Sequence, residues 1–460
     1  MDKFFQIIGK ISGILWGLPM IIILGFAGVF LSFRLGFFQI KYAPYILKQT
    51  FGKMMCTSEG GEGSVSPFQA VTAALASTVG ASNIIGVPAA IAFGGPGAIF
   101  WMWLISILGM ASKFSEVVLG YKYREKNEEG EYVGGPMYYI SKGLNMKGLG
   151  AFFSFFLMLE IVPSIMVQSN SIASSALQSF HLSPTITGII LLIAISIVVI
   201  GGIQRIGKVT EKLVPIMAGL YILACLYIVL MNIDKMPSVI ALIFGYAFKP
   251  IAAVGGFAGS AVAATVRWGI ARGVYSNEAG MGTAPIAHAA AVNDHPVRQG
   301  FWAIFEVIVD TLIICTMTAF VVLSSGIWSS PESIANPSGM PAAAFGYYFG
   351  SIGSMVVTLS LLFFVLSTVI VIIFYGEKQA EFLFGLKFSK IMRSIYLVSI
   401  LVGALGGAKE LWQFLDLLMA MIIIPNVFAI IALSKEVVQL KNEFFNSEDY
   451  YLQDVEKSNL

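Results

Sequence analysis

The sequence predicts an all-α, polytopic membrane protein, and three observations support this fold class. The first is composition: 57% of the 460 residues are hydrophobic and only 12% are charged, whereas soluble domains carry roughly 25% charged residues. The second is that apolar stretches long enough to cross a bilayer recur along nearly the whole chain. The third is that two of these stretches contain glycine and polar residues where a continuous helix would be expected.

The apolar stretches indicate about eleven spans, since an α-helix needs roughly 20 residues to cross the hydrocarbon core. The first span follows Lys3 and Lys10 and contains no small-residue cleavage site. We therefore interpret it as a retained helix and not as a signal peptide. The predicted spans are 12–34, 68–92, 97–122, 149–178, 184–203, 210–231, 253–290, 298–325, 351–375, 391–407 and 411–434.

The motifs expected of an enzyme are missing from the sequence, since no P-loop, HExxH, GxSxG or dinucleotide-binding motif occurs. The net charge of +2 gives no indication about nucleic acid. The three cysteines, Cys56, Cys225 and Cys315, form no CxxC pair and have no histidine nearby in the sequence. We therefore expect no resident cofactor, and uphill movement of a solute would draw its energy from a co-transported ion.

Lysine and arginine are distributed unevenly among the predicted loops. Loops 34–53 and 122–147 are rich in them, whereas loops 178–184 and 324–350 contain none. Because positively charged loops face the cytoplasm, the pattern predicts an N-terminus outside and a C-terminus in the cytoplasm of a bacterial-type plasma membrane. The tail, 436–460, has few core-forming residues, and we expect it to be partly disordered.

We expect one transmembrane domain, residues 1–435. Setting the first span, 12–34, apart leaves ten spans, and a half of five spans must invert its direction when it is repeated. The two interrupted spans then come first in the two halves, 68–231 and 253–434. Discontinuous helices at matching positions of inverted repeats indicate the solute site of a secondary transporter.

The first interruption lies in the second predicted span. Glycine and short polar residues weaken the helix there, and Pro88 can begin a new helical segment. The weakening residues are Gly80, Ser82, Asn83 and Gly86. A break would expose the N–H groups of residues 81–83 at a helix N-terminus, which carries partial positive charge and suits a carboxylate.

The same interruption could bind a cation. Carbonyl groups freed on Ala76 and Val79 would present oxygen to a hard cation, and the side-chain oxygens of Thr78 and Asn83 could add to them. The alternative interpretation is a glycine-rich face for tight helix packing, for which Gly80 and Gly86 alone would be sufficient.

The second interruption, 273–282, lies in the seventh predicted span and contains Glu278. An acidic residue within an apolar span is rare and is a functional candidate by default. Glu278 could bind a substrate ammonium group, balance a cation, or pair with Arg267 or Arg272. We expect His288, which follows, to be a packed or interfacial side chain.

Other polar side chains lie inside the predicted spans. Gln168 and Asn170, in the fourth span, could orient a small polar solute. Asp310, in the eighth span, could be a second functional carboxylate or a hydrogen-bonded structural acid. Ser367 and Thr368, in the ninth span, could bond to their own helix or complete an oxygen cage for a small cation.

Four sequence runs carry a family resemblance. They are WGIARGVYSNEAGMGTAPIA at 268–287, GGPGAIFWMW at 94–103, GGPMYY at 134–139, and Ser367-Thr368 ahead of YGEK at 375–378. These runs resemble the alanine/glycine:cation symporter family (sodium:alanine symporters), and the likeness covers residues 15–433. The resemblance implies a leucine-transporter-type fold, with five plus five inverted helices behind one extra N-terminal helix. It also implies sodium- or proton-coupled uptake of small neutral amino acids such as alanine and glycine by alternating access.

The resemblance further implies roles for site residues. The substrate carboxylate would meet the first break, its amino group would meet the turn from Tyr275 to Glu278, and sodium would lie between the first break and the ninth span. The candidate substrate-binding residues are Ser77, Thr78, Ala81, Ser82, Gln168, Tyr275, Ser276, Asn277, Glu278 and Thr368. The candidate sodium ligands are Ala76, Val79, Asn83, Ser367 and Thr368.

One position departs from the family pattern. The family usually has Gly-Thr-Gly-Asn-Ile at the first break, and this chain has Gly80-Ala81-Ser82-Asn83-Ile84. Ser82 narrows the space for a substrate side chain and adds a hydroxyl, so the sequence leaves the choice of substrate open. It also leaves open sodium or proton coupling, the oligomeric state, and two alternative functions, an amino-acid-binding membrane sensor and a passive channel. The expected partners are a small neutral amino acid and the lipid bilayer, without nucleic acid.

Overall fold

A computed structural model describes residues 2–54, 62–249, 262–406 and 409–452 of the chain. Three predictions fall partly outside these ranges. Cys56, the first residues of the seventh predicted span and the last part of the tail are not among the described residues.

The described chain is almost entirely helical, as predicted. The helices before the first break are α1 (Asp2–Leu15), α2 (Leu18–Arg34), α3 (Phe38–Lys41), α4 (Ala43–Thr50) and α5 (Pro67–Thr78). The next are α6 (Val87–Gly94), α7 (Ala98–Lys122), α8 (Pro136–Tyr138), α9 (Lys147–Phe180), α10 (Pro184–Val199), α11 (Gly202–Met231) and α12 (Met236–Tyr246).

The remaining helices surround and follow the second break. They are α13 (Val262–Asn277), α14 (Ala284–His288), α15 (Pro296–Val307), α16 (Thr316–Ser324), α17 (Pro331–Ala335), α18 (Met340–Phe349), α19 (Ser351–Phe384), α20 (Leu386–Leu405), α21 (Lys409–Ala432) and α22 (Ser434–Asn446). Wider π-type turns occupy Ser82–Gly86, Tyr139–Gly143, Ile308–Cys315 and Glu448–Leu452. Two short antiparallel strands, β1 (Glu125–Lys126) and β2 (Tyr132–Val133), form a hairpin.

Eight described helical segments are long and apolar enough to cross a membrane, and the bent pair at the first break makes a ninth. The predicted class, a polytopic helical membrane protein, is therefore confirmed. The described residues contain fewer membrane-length helices than the eleven predicted, because α10 has only 16 residues and the seventh predicted span is described only in part. The eight segments are Ile7–Arg34, Ala98–Lys122, Lys147–Phe180, Gly202–Met231, Pro296–Ser324, Ser351–Phe384, Leu386–Leu405 and Phe414–Ala432.

Local sequence explains where α5 begins. Ser66 accepts a hydrogen bond from the Gln69 N–H at 3.1 Å, and the Gln69 side chain accepts one from the Ser66 N–H at 3.1 Å. This reciprocal pair satisfies two N–H groups that the first turn of a helix would leave unpaired. Pro67, at the first helical position, has no N–H group to satisfy. The start of α5 is therefore fixed by its own sequence, and its direction leads into the first break.

The helices that surround the breaks pack closely against one another. α9 packs against α19, α20 and α21, while α13 and α15 pack against α7. The interior between them is closely packed with apolar residues such as Phe114, Phe153 and Phe364, which are 0% exposed. On the outer surface, Ile193 and Leu223 are more than half exposed, as expected for side chains that face lipid. The breaks thus lie in the interior of the bundle.

The expectation of a partly disordered tail is wrong for the part of the tail that the structure describes. α22 buries Val437 and Phe444, and the Phe445 ring stacks on Tyr42 with a centroid distance of 4.3 Å. Lys441 also donates to the Leu35 carbonyl at 3.1 Å. Composition alone could not indicate this docking, because the apolar partners of the tail lie on α2, α4 and α15, far away in the sequence.

Candidate functional site

The first predicted break is present. α5 ends at Thr78, and a helical segment resumes at Ser82 and runs to Gly94, bent by 46° from α5. Every residue from Ala76 to Gly80 is buried. The bend therefore places irregular backbone inside the bundle, where protein groups, ions or a solute must satisfy its polar atoms.

The hydrogen bonds of the first break leave backbone groups free. The Gly80 N–H donates to the Asn83 side-chain oxygen at 2.9 Å, so the Ala76 carbonyl lacks the donor that a continuous helix would supply. In the described part of the chain, the N–H groups of Ala81 and Ser82 make no backbone hydrogen bond. These are the free donors expected in the first turn of a helix. The break thus presents carbonyl oxygens on one side and N–H groups on the other.

The second predicted break is also present, but it begins later than residue 273, because α13 continues to Asn277. The chain then passes through the left-handed conformation at Glu278 (φ 57°), Gly280 (φ 95°) and Gly282 (φ 77°). The Asn277 side-chain oxygen accepts a hydrogen bond from the Ala279 N–H at 3.0 Å. A left-handed conformation is costly for a residue with a side chain, and such strain clusters at functional sites. Glu278 therefore occupies a special backbone position as well as a buried one.

The two breaks contact each other directly. The Asn83 amide donates to the Ser276 hydroxyl at 3.1 Å, and the Ser77 hydroxyl donates to the Glu278 carboxylate at 3.4 Å. The Asp310 carboxylate joins them, because it accepts from Asn83 at 2.6 Å and from Ser276 at 2.7 Å. Of the two roles considered for Asp310, the geometry favours that of a hydrogen-bonded structural acid.

A cavity lies where the breaks meet. It contains about 490 Å³ of space free of protein atoms, including the part open to solvent. Its lining comes from both breaks and from three long helices, α9, α19 and α21. The lining residues are Ser77, Gly80, Ala81, Ser82, Glu160, Ser164, Val167, Gln168, Tyr275, Glu278, Met281, Thr368, Ile372 and Trp412.

Seven of the ten candidate substrate-binding residues line this cavity. They are Ser77, Ala81, Ser82, Gln168, Tyr275, Glu278 and Thr368. Thr78 does not line it, and its hydroxyl donates back to the Leu75 carbonyl at 3.2 Å. Ser276 and Asn277 also lie off the cavity: the Ser276 side chain bonds to Asp310, and the Asn277 amide donates to Ser106 and Thr311.

Only some of the candidate sodium ligands lie close to one another. The Thr368 hydroxyl oxygen lies 3.5 Å from the Val79 carbonyl oxygen, and the hydroxyls of Ser367 and Thr368 both donate to the Phe364 carbonyl at 2.8 Å. A hydroxyl that donates its proton keeps lone pairs for a cation. Asn83 lies elsewhere, because its side chain bonds to Gly80, Ser276 and Asp310.

The two amides of α9 have different roles. The side chain of Gln168 lines the cavity, and its oxygen is buried without a hydrogen-bond partner. Asn170 instead donates to the backbone carbonyls of Gly403 and Gly406 on the neighbouring α20. Only Gln168 is therefore placed to orient a solute.

Glu278 is not paired with an arginine in the described structure. Arg267 and Arg272 line a neighbouring cavity with Asp416 and Tyr275, and Asp416 interacts electrostatically with both arginines. The salt bridge considered for Glu278 in the sequence interpretation is therefore wrong. Tyr275 lines both cavities, so its ring lies between them.

A buried charge cluster behind the second break was missed by the sequence interpretation. The Lys113 ammonium lies 2.7 Å from the Glu306 carboxylate, with both side chains 0% exposed, and it donates to the Asn277 carbonyl at 2.6 Å. His288 contacts Glu306 and Gln299, so it is packed, as expected, but it also belongs to this cluster. Lys113 thereby satisfies a carbonyl freed where α13 ends.

A second polar cluster holds the far side of the same break. The Asn426 amide donates to the Gly280 carbonyl at 2.8 Å and to the Glu116 carboxylate at 2.7 Å, and Tyr139 donates to the Asn426 oxygen. A side chain at Gly282 would bring its Cβ within 2.4 Å of Pro136. The available sequence signal was the presence of charged residues in apolar spans, the same signal that identified Glu278.

Comparisons with known proteins identify the family of this chain. The model of the sodium:alanine symporter family matches residues 1–458. The chain is 56% identical over 458 residues to an uncharacterized transporter, YflA, of Bacillus subtilis (strain 168), covering 100% of this chain and 97% of that protein. It is 41% identical over 449 residues to the sodium/alanine symporter AgcS of Methanococcus maripaludis, covering 96% and 97%.

A solved structure supports the fold. MhsT in complex with L-phenylalanine matches with a TM-score of 0.61, covering 81% of this chain and 90% of that chain at 14% identity. At this identity the likeness concerns the fold alone, and it agrees with the leucine-transporter-type fold expected above. The family match over almost the whole chain leads to one conclusion: this chain belongs to the sodium:alanine symporter family.

Proposed function

We propose that this chain couples the entry of sodium to the uptake of small neutral amino acids, including alanine and glycine, by alternating access. The observation that carries the proposal is the meeting of two broken helices at one cavity that exposes both N–H groups and acidic oxygen. A zwitterion needs both kinds of partner. Membership of the family and the name of the Methanococcus relative support the choice of substrate and ion.

The substrate would bind by its two charged ends. Its carboxylate would accept hydrogen bonds from the free N–H groups of Ala81 and Ser82, where the helix dipole favours negative charge. Its ammonium group would lie against the second break, between Glu278 and Tyr275, with the unpartnered oxygen of Gln168 as a further acceptor. Hydrogen bonds to charged groups contribute about 1.5–3 kcal/mol each, so a few such contacts suffice for a micromolar to millimolar affinity.

Sodium would bind on the other side of the first break. The carbonyl oxygens of Ala76 and Val79 and the hydroxyl oxygens of Ser367 and Thr368 offer the hard oxygen ligands that small cations prefer. We leave Asn83 out of this site, because its amide already bonds to both breaks and to Asp310.

The short first break gives a physical route to coupling. The two proposed carbonyl ligands of sodium and the proposed carboxylate donors lie within one short segment, from Ala76 to Ser82. When sodium fixes the carbonyl groups of this segment, it also fixes the direction of its N–H groups. When the substrate carboxylate fixes the N–H groups, it likewise fixes the direction of the carbonyl groups. Each ligand then increases the affinity for the other by the same factor.

The topology forms part of the proposal. We place the N-terminus outside and α22 in the cytoplasm of a bacterial-type plasma membrane, following the distribution of lysine and arginine. The chain forms one domain, 1–435, in which 68–231 and 253–434 are inverted repeats behind the helix at 12–34. Alternating access would then move the broken helices against the α9 and α19 scaffold.

Uptake of labelled alanine in proteoliposomes tests the proposed function. We expect uptake that depends on an inward sodium gradient and is not supported by a lithium gradient or a proton gradient alone. Glu278→Ala should reduce uptake at least tenfold, because a principal acceptor of the ammonium group is lost. Glu128→Gln, a change at an exposed carboxylate in the β1–β2 loop, is the matched control.

Two results would contradict the proposal. One is sodium-dependent uptake of the wild-type rate by Glu278→Ala. The other is a large current independent of amino acid, which would indicate a channel. Elution of each variant as a single symmetric peak in size-exclusion chromatography confirms that it is folded.

A further inference from the structure

A polar stripe on α9 extends the cavity beyond the part that the amino and carboxylate groups would occupy. Glu160, Ser164 and Gln168 lie four residues apart and all line the cavity, so they share one face of the helix. Eight residues of α-helix span about 12 Å. Gln168 marks the end of the stripe at the first break, since a Cβ on Gly80 would lie 3.4 Å from its side-chain oxygen. Glu160 lies at the other end.

Glu160 is a buried carboxylate without a protein partner. Its side chain is only 6% exposed, and no hydrogen bond or ion pair involves it in the described structure. Its charged neighbour is Glu278, which has the same sign, while Lys113 is bound to Glu306 and to the Asn277 carbonyl. Removing a carboxyl group from water without giving it a hydrogen-bond partner is unfavourable, so stability does not explain this residue. A solute in the cavity can supply the missing partner.

The stripe presents complementary hydrogen-bonding groups. Glu160 offers acceptor oxygens, and Ser164, one turn away, offers a hydroxyl donor. A side-chain carboxamide carries both an NH₂ donor and a carbonyl acceptor, whereas an ammonium group carries donors only. The methyl group of alanine offers neither and ends one carbon from the substrate's α-carbon. The carboxamide of glutamine or asparagine could therefore donate to Glu160 and accept from Ser164.

We propose that Glu160 determines substrate specificity and that, together with Ser164, it binds the side-chain carboxamide of glutamine or asparagine. This inference rests on the proposed function, because it requires the substrate's charged groups to lie at the two breaks. The chain would then favour these amino acids over apolar amino acids of similar length, while alanine would be carried without a contact to Glu160.

Competition and binding measurements on the full-length protein test this inference. Wild-type proteoliposomes should take up glutamine with a KM roughly 10- to 100-fold below that for norvaline, which is similar in length but lacks the amide. This range corresponds to the gain of one or two buried hydrogen bonds. Glu160→Leu should remove this preference, and Ser164→Ala should weaken it in part. Glu128→Gln should have no effect.

Thermal stabilisation of the detergent-solubilised protein by each amino acid is the second measurement, and it does not depend on transport. If glutamine stabilises the wild type more than norvaline does and this difference disappears in Glu160→Leu, the inference holds even if proteoliposomes take up nothing. Failure of all uptake would refute only the proposed function.

Three results would overturn the inference. The first is equal handling of glutamine and norvaline by the wild type. The second is stronger binding of lysine than of glutamine, which would indicate recognition of a cation. The third is a Glu160→Leu variant that keeps its preference for glutamine but loses a dependence of uptake on external pH, which would make Glu160 a proton carrier.

Discussion

The two helix breaks meet at one cavity, but they are built in different ways. The first break leaves N–H groups on Ala81 and Ser82 without backbone partners, and the side chain that spans it, Asn83, belongs to the break itself. The second break is held from outside by two polar side chains. Lys113 binds the Asn277 carbonyl, and Asn426 binds the Gly280 carbonyl.

This difference indicates that the first break binds the solute and that the second break is held in place by the protein. Unpaired polar groups at bilayer depth are costly unless a ligand satisfies them, so the first break is suited to take up and release a solute. The second break has its freed carbonyls satisfied by protein side chains, which keep Glu278 in its strained conformation. We expect substitutions around the second break to affect stability most, and substitutions at the first break to affect transport most.

The largest predicted effect is on stability at the second break. Lys113→Met should lower the free energy of unfolding by about 3–5 kcal/mol, because it leaves Glu306 buried without its cation. Lys122→Met, on the same helix, removes a partly exposed partner of Glu436 and should cost below about 1 kcal/mol. Thermal or denaturant-induced unfolding of each variant in detergent measures the two losses of free energy. Equal losses in the two variants would contradict the bracing role of Lys113.

An intermediate effect is predicted at the link between the breaks. Asp310→Asn keeps the size of the side chain but removes its charge and turns one acceptor into a donor, so either the contact with Asn83 is lost or the Ser276 hydroxyl must stop donating. The loss of one buried hydrogen bond to a charged group should cost about 1–3 kcal/mol and should also raise the KM for alanine. If both stability and KM stay at wild-type values, Asp310 does not join the two breaks.

The smallest predicted effect on stability, with a clear effect on transport, is at the first break. The Cβ of Gly80→Ala would lie 2.8 Å from the Thr368 hydroxyl oxygen and 3.4 Å from the Gln168 side-chain oxygen. Alanine affinity at saturating sodium should therefore fall about tenfold, or ~1.4 kcal/mol, with a loss of stability smaller than that of Asp310→Asn. Gly86→Ala, whose nearest new neighbour is 3.7 Å away, is the matched control. Equal alanine affinity in the two variants would show that space at Gly80 does not matter.

The fold class and both breaks could be predicted because the membrane makes their signals local. A span needs about 20 apolar residues, and glycine or polar residues within it indicate a break wherever they occur. Glu278 was identifiable for the same reason, since a charge in an apolar span needs a function or a partner. The same signal was available for Glu160 and Lys113.

The remaining details depend on contacts that no local pattern contains. Ser77 and Thr78 are adjacent hydroxyl residues, and only Ser77 lines the cavity, because successive residues of a helix point about 100° apart. The ion pair of Lys113 with Glu306 joins α7 to α15, so it appears only after those helices pack. The docking of α22 depends in the same way on aromatic partners elsewhere in the chain.

A structure of the protein with bound sodium and alanine, determined by electron cryomicroscopy, tests the central claim most directly. We expect density for alanine in the cavity where the breaks meet, with its carboxylate within hydrogen-bond distance of the Ala81 and Ser82 N–H groups. We also expect a cation between the Val79 carbonyl and the Thr368 hydroxyl. Alanine bound elsewhere, or a continuous helix through residues 78–86, would contradict the claim.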